Sequence, residues 1–529
     1  MEKIAHIPYL IIGAGPAGLQ LGDMLRLRGD RYLILESSER AGHFFEKFPR
    51  HRKLLSINKV YTGYTDFDSR RRYDWNSLLN EDESLQFTRY SEDYFPHADD
   101  LVRYLGDFTE GRGLDVRYRS EVTTVGRGED GLFRVGTADG TSFTADRLIV
   151  ASGLFEPNKP DIPGVDLCET YVDFDMDHES FRDKKVLILG KGNSAFETAE
   201  ELIPITRKIQ IAGPKYVRLA WVSHFVGDVR AVNNNFLDTY HLKGQNNILD
   251  GELVEVSRRE DGTFDTKMWF ASRQTFLTYN CDRVILCTGF RFDDSIFDES
   301  CRPDLAFGGR LPAMTCEWES TNVPHLYFIG TLMQMRDRKK TMSSFIHGFR
   351  HNLVALNEIF ERRYRGGDWL RVDEVPRDPH VLAEALIERV STAPACFLQP
   401  GFLGDLLVIP DDDGPARIYR DMPVDYIHEH EAPRLGNCRY YVITLEYGEV
   451  DGYLDPFAMP RGVGVVEDFY LHPIVRRYEN GENTGRFILP DDLDNDWRLD
   501  PANFQKVKSW LESELTAAES LAVGSTTQE

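Results

Sequence analysis

The sequence lacks the segments that would direct it into or across a membrane. The apolar run Tyr9–Ile12 is short and enters a glycine turn, without the small-residue cleavage pattern of a secretory signal. No stretch reaches the roughly 18 uninterrupted apolar residues of a spanning helix, and the final residues carry no retention or lipidation signal. We therefore expect a cytoplasmic protein with no membrane partner.

Paired cysteines and excess basic charge are also missing. The 7 cysteines include no C-x-x-C pair, which suits buried thiols in a reducing compartment. Lys and Arg total 62 against 86 Asp and Glu, a formal net charge of −24. This balance argues against a nucleic-acid partner, because such binding needs a basic footprint. The histidines lack metal-ligand spacing, so no metal site is predicted.

The segment Tyr9–Gly18 matches a dinucleotide-binding pattern. A continuous apolar run, typical of a buried parallel strand, leads into G-x-G-x-x-G. These glycines permit a tight turn, close approach of the backbone to a pyrophosphate, and close packing of helix on strand. A second strand, Arg31–Leu35, precedes an acid that can accept hydrogen bonds from a ribose diol. The residues predicted to bind this dinucleotide are Gly13, Gly15, Pro16, Ala17, Gly18 and Glu36.

The pattern recurs in the segment Lys185–Ala195, where alanine in the third position still allows close helix packing. The next strand, Lys208–Ala212, is followed by two cations instead of an acid. Cations fit a 2′-phosphate better than a free diol, so we favour NADPH over NADH. The alternative is that they line a solvated loop. The residues predicted to bind NADPH are Gly190, Gly192, Asn193, Ser194, Ala195, Lys215 and Arg218.

Two nucleotide folds in series imply two cofactors whose reactive rings meet, as in a flavoprotein reduced by NAD(P)H. Two further apolar strands end in small residues, and their glycines, Gly153 and Gly330, are predicted to approach FAD. Thr341–Leu356 is predicted to form a helix whose amino end faces the flavin pyrimidine, where negative charge gathers on reduction.

We therefore predict an α/β fold with two Rossmann-like dinucleotide-binding domains, the second inserted in the first, and a carboxy-terminal α+β extension. The FAD-binding domain is expected at residues 1–169 and 322–363, the NAD(P)H-binding domain at 170–321, and the extension at 375–529. Within the extension we expect a helix at Pro379–Val390, a strand at Tyr440–Glu446 and a final helix at Asn503–Ala517.

These motifs resemble those of the class B flavin-dependent monooxygenase superfamily. Several longer strings resemble the FAD-dependent oxidoreductase domain-containing family more closely, and this likeness thins through the carboxy-terminal third. The strings are Phe48–Lys59, Tyr73–Leu79, Val217–Trp221, Gly227–Asn234 and Phe345–Arg350.

The resemblance implies further site residues. Gly42, Phe44 and Phe45 would hold FAD, and Val122 would present its backbone to the adenine. Asn58 falls where flavin-containing monooxygenases carry an asparagine beside the reactive face of the flavin, and it is the predicted catalytic residue. Its neutral amide offers both a donor and an acceptor. The alternative is that Asn58 ends a strand and caps a turn.

The leading prediction is an FAD- and NADPH-dependent monooxygenase. NADPH would reduce FAD, dioxygen would add at the flavin C4a, and one oxygen atom would pass to a small-molecule substrate. By superfamily analogy, the preferred reaction is N-hydroxylation of an amine or amino acid. The oligomeric state stays open, with a homo-oligomer among the possibilities.

Two other functions are considered. A disulfide oxidoreductase needs two cysteines close together near the flavin, whereas Cys281 and Cys287 stand at opposite ends of an apolar strand, roughly 20 Å apart. The second alternative is a non-oxygenating flavoprotein or scaffold whose carboxy-terminal module binds a protein partner.

Overall fold

The computed structural model describes residues 5–244, 246–410, 414–436, 438–448 and 470–525. It confirms the α/β class, with two nucleotide-fold units and a carboxy-terminal α+β extension. Among the helices in these ranges, none combines the length and the apolar character needed to cross a membrane.

The first unit is built on a sheet in the order β3-β2-β1-β6-β5-β4. The central strand pairs in parallel with neighbours on both sides, and its residues from Tyr9 to Ile12 are all buried, as its apolar run requires. The elements of this unit are β1 (Ala5–Ile12), α1 (Pro16–Arg28), β2 (Tyr32–Leu35), α2 (His43–Lys47), α3 (Phe67–Arg71), α4 (Ala98–Gly111), β3 (Val116–Arg117), β4 (Val122–Arg127), β5 (Phe133–Thr137) and β6 (Ser142–Val150).

The second unit repeats this plan with a parallel sheet in the order β11-β10-β9-β15-β8, joined by a three-stranded antiparallel sheet. The chain passes from the first unit to the second through β7 and returns through β16. These two segments lie side by side, because they pair as antiparallel strands. The elements are β7 (Glu156–Pro157), β8 (Glu169–Thr170), β9 (Lys185–Leu189), α5 (Asn193–Leu202), β10 (Lys208–Ala212), α6 (Ala220–Ser223), α7 (Asn235–Lys243), β11 (Asn247–Leu249), β12 (Glu252–Arg258), β13 (Phe264–Phe270), β14 (Thr275–Cys281), β15 (Arg283–Leu286) and β16 (Phe290–Arg291).

The chain then returns to the first unit through β17 (Leu305–Ala306), β18 (Leu311–Pro312), β19 (Leu326–Phe328) and α8 (Ile346–Arg365). β19 adds to the first sheet beside β6. Phe292, Phe297 and Trp318 belong to the same hydrophobic core as β1, and the domain boundary at residue 322 stays a prediction.

Helix α8 also begins later than predicted. The carboxylate of Asp337 accepts hydrogen bonds from the hydroxyl of Thr341 and from the backbone N–H of Ser343. These bonds fold residues 341–344 into a turn, and the helix starts after Phe345. The helix ends at Gly366 in the left-handed conformation.

The extension is a six-stranded antiparallel sheet in the order β20-β22-β21-β23-β24-β25. Leu406 and Val442 pack into the core of the first unit, whereas their neighbours Leu407 and Ile443 pack against helices on the opposite face. The elements are β20 (Val372–Val375), α9 (Pro379–Thr392), α10 (Pro394–Leu398), β21 (Leu403–Val408), β22 (Ala416–Pro423), α11 (Val424–Tyr426), α12 (Ala432–Leu435), β23 (Tyr440–Glu446), β24 (His472–Glu479), β25 (Glu482–Ile488) and α13 (Pro501–Ser525).

The strand predicted at Tyr440–Glu446 is confirmed as β23, while α9 and α13 extend beyond their predicted ends. Arg72, only 1% exposed, fastens the extension to the first unit. Its guanidinium donates to the backbone carbonyls of Ser391 and Asn495 and lies 3.9 Å from the ring centroid of Phe397.

Candidate active site

The turn Gly13–Gly18, here called the first cradle, is tightly packed on one side and open on the other. Gly13 has φ +107°, and a Cβ there would lie 2.7 Å from the carbonyl oxygen of Ala151. A Cβ on Gly18 would overlap the carbonyl of Gly13, whereas a Cβ on Gly15 would meet no described atom within 4 Å. Helix α1 starts at Pro16 without a side-chain cap from a described residue. Its free N–H groups therefore face open space, as a phosphate site requires.

Glu36 stands at the end of β2, beside this turn. One carboxylate oxygen accepts from the backbone N–H of Ala14 at 2.8 Å, and the other from Ser38 at 2.9 Å. The second oxygen also accepts from the hydroxyl of Ser37 at 3.3 Å. These bonds fix the carboxylate, and the oxygen that faces Ala14 retains a lone pair for a ribose hydroxyl. The N–H of Gly42 donates to the carbonyl of Ala14 at 3.0 Å, which places Gly42 on the same turn.

Three other residues predicted for FAD are Val122, Phe44 and Phe45. The connection before Val122 lies beside Glu36, because the N–H of Ser120 donates to the Glu36 carbonyl at 2.8 Å. Phe44 is 39% exposed, and its ring meets Phe45 edge to face at 5.3 Å.

Gly153 and Gly330 close the cradle from the ends of two neighbouring strands. A Cβ on Gly330 would lie 2.8 Å from the Cβ of Ala17, so Gly330 abuts the first turn of α1. A Cβ on Gly153 would lie 3.9 Å from the methyl carbon of Thr331, the residue after Gly330. These two glycines and the first cradle therefore lie at one edge of the first sheet.

The turn Gly190–Ala195, here called the second cradle, repeats this geometry. Gly190 has φ +123°, and a Cβ there would overlap the carbonyl of Cys287. A Cβ on Gly192 would meet no described atom within 4 Å, and α5 begins without a side-chain cap from a described residue. Ala195 is fully buried against the core of the second unit. Ser194 lies in the first turn of α5.

The side chain of Asn193 is bonded to the loop that follows the second nucleotide strand. The amide nitrogen donates to the carbonyl of Asp228 at 2.7 Å, and the amide oxygen accepts from the N–H of Arg230 at 2.9 Å. The side chain therefore holds the loop around Arg230 against the second cradle, and the backbone N–H of Asn193 is the group left for a phosphate.

The cations predicted for the 2′-phosphate lie past the end of β10. Lys215 is exposed, and its carbonyl accepts from the ammonium of Lys191 at 2.8 Å. Arg218 pairs with Asp228 at 3.1 Å. Lys191, inside the second cradle, is a cation that the sequence analysis overlooked.

A further cation reaches this region from the first unit. The pKa of Lys339 is lowered, first by desolvation and also by the positive charges of Arg338, Arg218 and Lys215, while Asp228 opposes the shift. Lys339 therefore feels the charges of Arg218 and Lys215, which belong to the second unit. The signal in the sequence was the basic run from Arg336 to Lys340, which the motif analysis left aside.

The two units are joined at a buried polar contact. The hydroxyl of Tyr171 accepts from the backbone N–H of Arg50 at 2.9 Å and donates to the carboxyl group of Glu197. The guanidinium of Arg50 donates to the carbonyls of Val172 and Phe174 at 2.6 and 2.8 Å. Burial raises the pKa of Glu197 to about 8, so this group is largely protonated at neutral pH.

Aromatic rings from both units meet near the amino end of α8. We call Trp75, Phe95, Phe225, Phe345 and His347 the aromatic seam. Trp75 stacks on His347 at 4.3 Å, and Phe345 meets Phe225 at 6.3 Å. Both ring nitrogens of the fully buried His347 lack a partner among the described residues.

Arg230 lies over the aromatic seam. Its guanidinium is 5.4 Å from the Trp75 ring and 5.9 Å from the Phe95 ring. No role is predicted for these residues from the sequence, although Trp75, Phe225 and Phe345 fall in or beside segments that carry the family resemblance. Only the fold brings them together.

Asn58 is 2% exposed, and its side chain already holds a neighbouring loop. The amide nitrogen donates to the carbonyl of Ser91 at 2.6 Å, while the amide oxygen is buried without a partner among the described residues. Asn58 pairs with Asp74, the residue before Trp75, in an isolated β-bridge. The free oxygen is therefore the atom of Asn58 through which a catalytic role would act, and that role stays a prediction.

All seven cysteines lie in described residues, and all are free. Cys281 and Cys287 are buried, and burial raises the pKa of the Cys281 thiol to about 12. Such thiols are inert nucleophiles at neutral pH. Among the described residues, His51, His178 and Glu201 bring three potential metal-ligand atoms within 4.8 Å of one another. The spacing of these three in the sequence did not indicate this grouping.

Comparison with known proteins identifies the wider group. Residues 10–330 match the pyridine nucleotide-disulphide oxidoreductase family. The FAD-dependent oxidoreductase domain-containing protein 2 of Mus musculus is 35% identical over 90% of this chain and 76% of its own length, and that of Danio rerio is 37% identical over 92% and 76%. A flavin-containing monooxygenase from Stenotrophomonas maltophilia shares the fold, with 18% identity and a TM-score of 0.52 over 66% of this chain and 96% of its own.

Proposed function

This chain belongs to the pyridine nucleotide-disulphide oxidoreductase family, together with the FAD-dependent oxidoreductase domain-containing proteins, and from that premise we propose that it is an FAD-dependent monooxygenase reduced by NADPH. The observation that carries the proposal is the pair of cradles. Each has one glycine locked against a neighbouring strand and a second glycine, Gly15 or Gly192, that opens onto free space before an uncapped helix.

The first cradle fits FAD by the chemistry of its donors. The free N–H groups at the start of α1 suit a pyrophosphate. Glu36 offers a carboxylate lone pair to the adenine ribose, and the connection leading to Val122 runs beside Glu36. Bound FAD supplies hydride acceptance and the activation of dioxygen. The protein binds, orients and shields the cofactor.

The second cradle fits NADPH better than NADH. Lys215, Arg218 and Lys339 bring positive charge to the end of β10, where a 2′-phosphate would lie. Arg218 is partly neutralised by Asp228, so Lys215 and Lys339 are proposed as the main contacts to the phosphate. Lys339 comes from the first unit, so its contact would also bind the two units together.

Two features favour oxygenation over disulfide exchange. The cysteines form no disulfides, and burial raises the pKa of thiols such as that of Cys281, which disfavours the reactive thiolate form. The aromatic seam lines the join between the units with apolar rings, which suits a reaction that must exclude water. We propose that the seam borders the substrate and that Asn58 acts through its unpaired amide oxygen.

The proposed reaction is N-hydroxylation of a small amine or amino acid, with dioxygen as co-substrate. The preference for nitrogen rests on analogy with related flavin enzymes. The free thiols also favour the cytoplasm as the compartment in which the protein works.

The test measures NADPH consumption, oxygen uptake and peroxide release with panels of amines, amino acids, thioethers and ketones. The proposal predicts that at least one amine or amino acid accelerates NADPH consumption and lowers peroxide release per NADPH, with a hydroxylated product. Uniform peroxide release that no compound changes would show a plain oxidase. A Gly192→Val variant is the control, because it should keep FAD while consuming NADPH more slowly with every compound at a limiting NADPH concentration.

A further inference from the structure

Arg230 is a partly buried cation with no anionic partner among the described residues. Among the residues that the structure describes, its guanidinium donates no hydrogen bond and has no carboxylate within 4 Å, and its Nε atom is fully buried without a partner. Tyr94 is the one titratable side chain with a marked electrostatic effect on it. An unpaired, desolvated charge is costly, which calls for an explanation.

Packing explains the position of Arg230 but not its free donors. The backbone N–H is fixed by the amide oxygen of Asn193 at 2.9 Å, which holds the loop against the second unit. The guanidinium then crosses to the first unit and lies over Trp75 and Phe95. Cation–π contacts use the face of the guanidinium plane. The two terminal nitrogens are not among the fully buried atoms, so their N–H groups stay available to a ligand.

Arg103 is a similar arginine whose guanidinium does have hydrogen-bond partners. It lies 5.5 Å from the Tyr90 ring, a distance close to that between Arg230 and Trp75. Arg103, however, also donates to the carboxylate of Asp100 and to the carbonyl of Tyr90, each at 3.0 Å. Arg230 has the ring contact without the anion.

We propose that Arg230 is the anion-recognition residue of the substrate site and binds the carboxylate of a small organic acid, such as an amino acid. The guanidinium edge matches a carboxylate with two parallel N–H···O bonds. The rings of Trp75 and Phe95 form apolar walls for the carbon skeleton next to it. A single unpaired cation suits a monoanion and disfavours a purely cationic diamine. This inference rests on the proposed function for the location of the substrate.

The test uses the oxidised, FAD-loaded protein without NADPH or substrate turnover. Phenylacetate and its neutral analogue phenylacetamide are titrated while the flavin absorbance spectrum is recorded. We expect phenylacetate to bind at least about 10-fold more tightly, the discrimination expected for a hydrogen-bonded charge. Arg230→Gln should remove this preference, Arg230→Lys should keep part of it, and the matched control Arg103→Gln should keep all of it.

Three results would overturn the proposal: equal binding of the two compounds by the unaltered protein, a preference that survives Arg230→Gln, or loss of phenylacetate binding when NADP⁺ saturates the protein. The last would assign Arg230 to the nucleotide. Because the titration needs neither NADPH nor oxygen, failure of the proposed monooxygenase reaction would leave this result readable, and failure of the titration would leave that reaction intact.

Discussion

Glu197 provides a test of how the two units are joined. It lies on α5 and is bonded to the hydroxyl of Tyr171, which in turn accepts from the backbone of Arg50 in the first unit. Burial raises its pKa from 4.5 to about 8, with a smaller contribution from Glu201, although the bond from Tyr171 opposes the shift. The folded protein therefore holds this proton across a range in which the unfolded chain releases it.

The sign of the pH dependence follows from proton binding. Between pH 4.5 and about 8 the folded state binds more protons at Glu197 than the unfolded state does, so the free energy of unfolding falls as pH rises. The shift corresponds to a loss of about 3–5 kcal/mol across this range, from ~1.4 kcal/mol per pKa unit. Glu197→Gln keeps an acceptor for Tyr171 and removes the titration.

The assay is urea unfolding of the FAD-loaded protein at pH 5.5, 7 and 8.5. The variant should lose less stability than the unaltered protein as pH rises, and the difference should grow with pH. Glu252→Gln, at an exposed carboxylate on β12, is the control and should leave the slope unchanged. Parallel pH profiles for the Glu197 variant and the unaltered protein would refute the reasoning.

Three further predictions follow from single residues. In Gly192→Val the new side chain fits open space in the fold, so the melting temperature should stay unchanged. The KM for NADPH should rise at least about 10-fold, because phosphate contacts are lost. An unchanged KM would contradict the binding of NADPH at the second cradle. Lys339→Met should raise the KM for NADPH about 5-fold, because one charged contact is lost, and should leave the KM for NADH unchanged. Steady-state kinetics measures both constants. Equal effects on the two nucleotides would contradict a contact between Lys339 and the 2′-phosphate. Arg72→Met removes two hydrogen bonds to the extension and should lower the free energy of unfolding by about 2–4 kcal/mol. Urea unfolding measures this change, with Arg103→Met as the control. A change no larger than in the control would contradict the role of Arg72 in holding the extension to the first unit.

The two cradles could be predicted because their rules are local. A buried parallel strand must be apolar, and the turn after it needs glycine where a Cβ would strike the next strand, as Gly13 and Gly190 show. These requirements fall on consecutive residues, so the sequence displays them directly. The placement of Glu36 follows from the same short unit.

The remaining features depend on contacts between distant segments. The start of α8 is delayed by a turn built on Asp337, and no helix periodicity encodes that turn. Lys339 feels the charge of Lys215 because the chain crosses twice between the units, and Arg230 reaches Trp75 for the same reason. Asn193 fits the motif, yet its side chain is bonded to a loop that follows it by many residues.

The most direct test of the central claim is rapid mixing of the FAD-loaded protein with NADPH in the absence of oxygen, followed through the flavin absorbance. We expect the flavin to bleach in one turnover, faster with NADPH than with NADH, and we expect Gly192→Val to retain the flavin but bleach more slowly at the same limiting NADPH concentration. A protein whose bound flavin stays oxidised with both nucleotides would contradict the claim that the two cradles bring FAD and NADPH together.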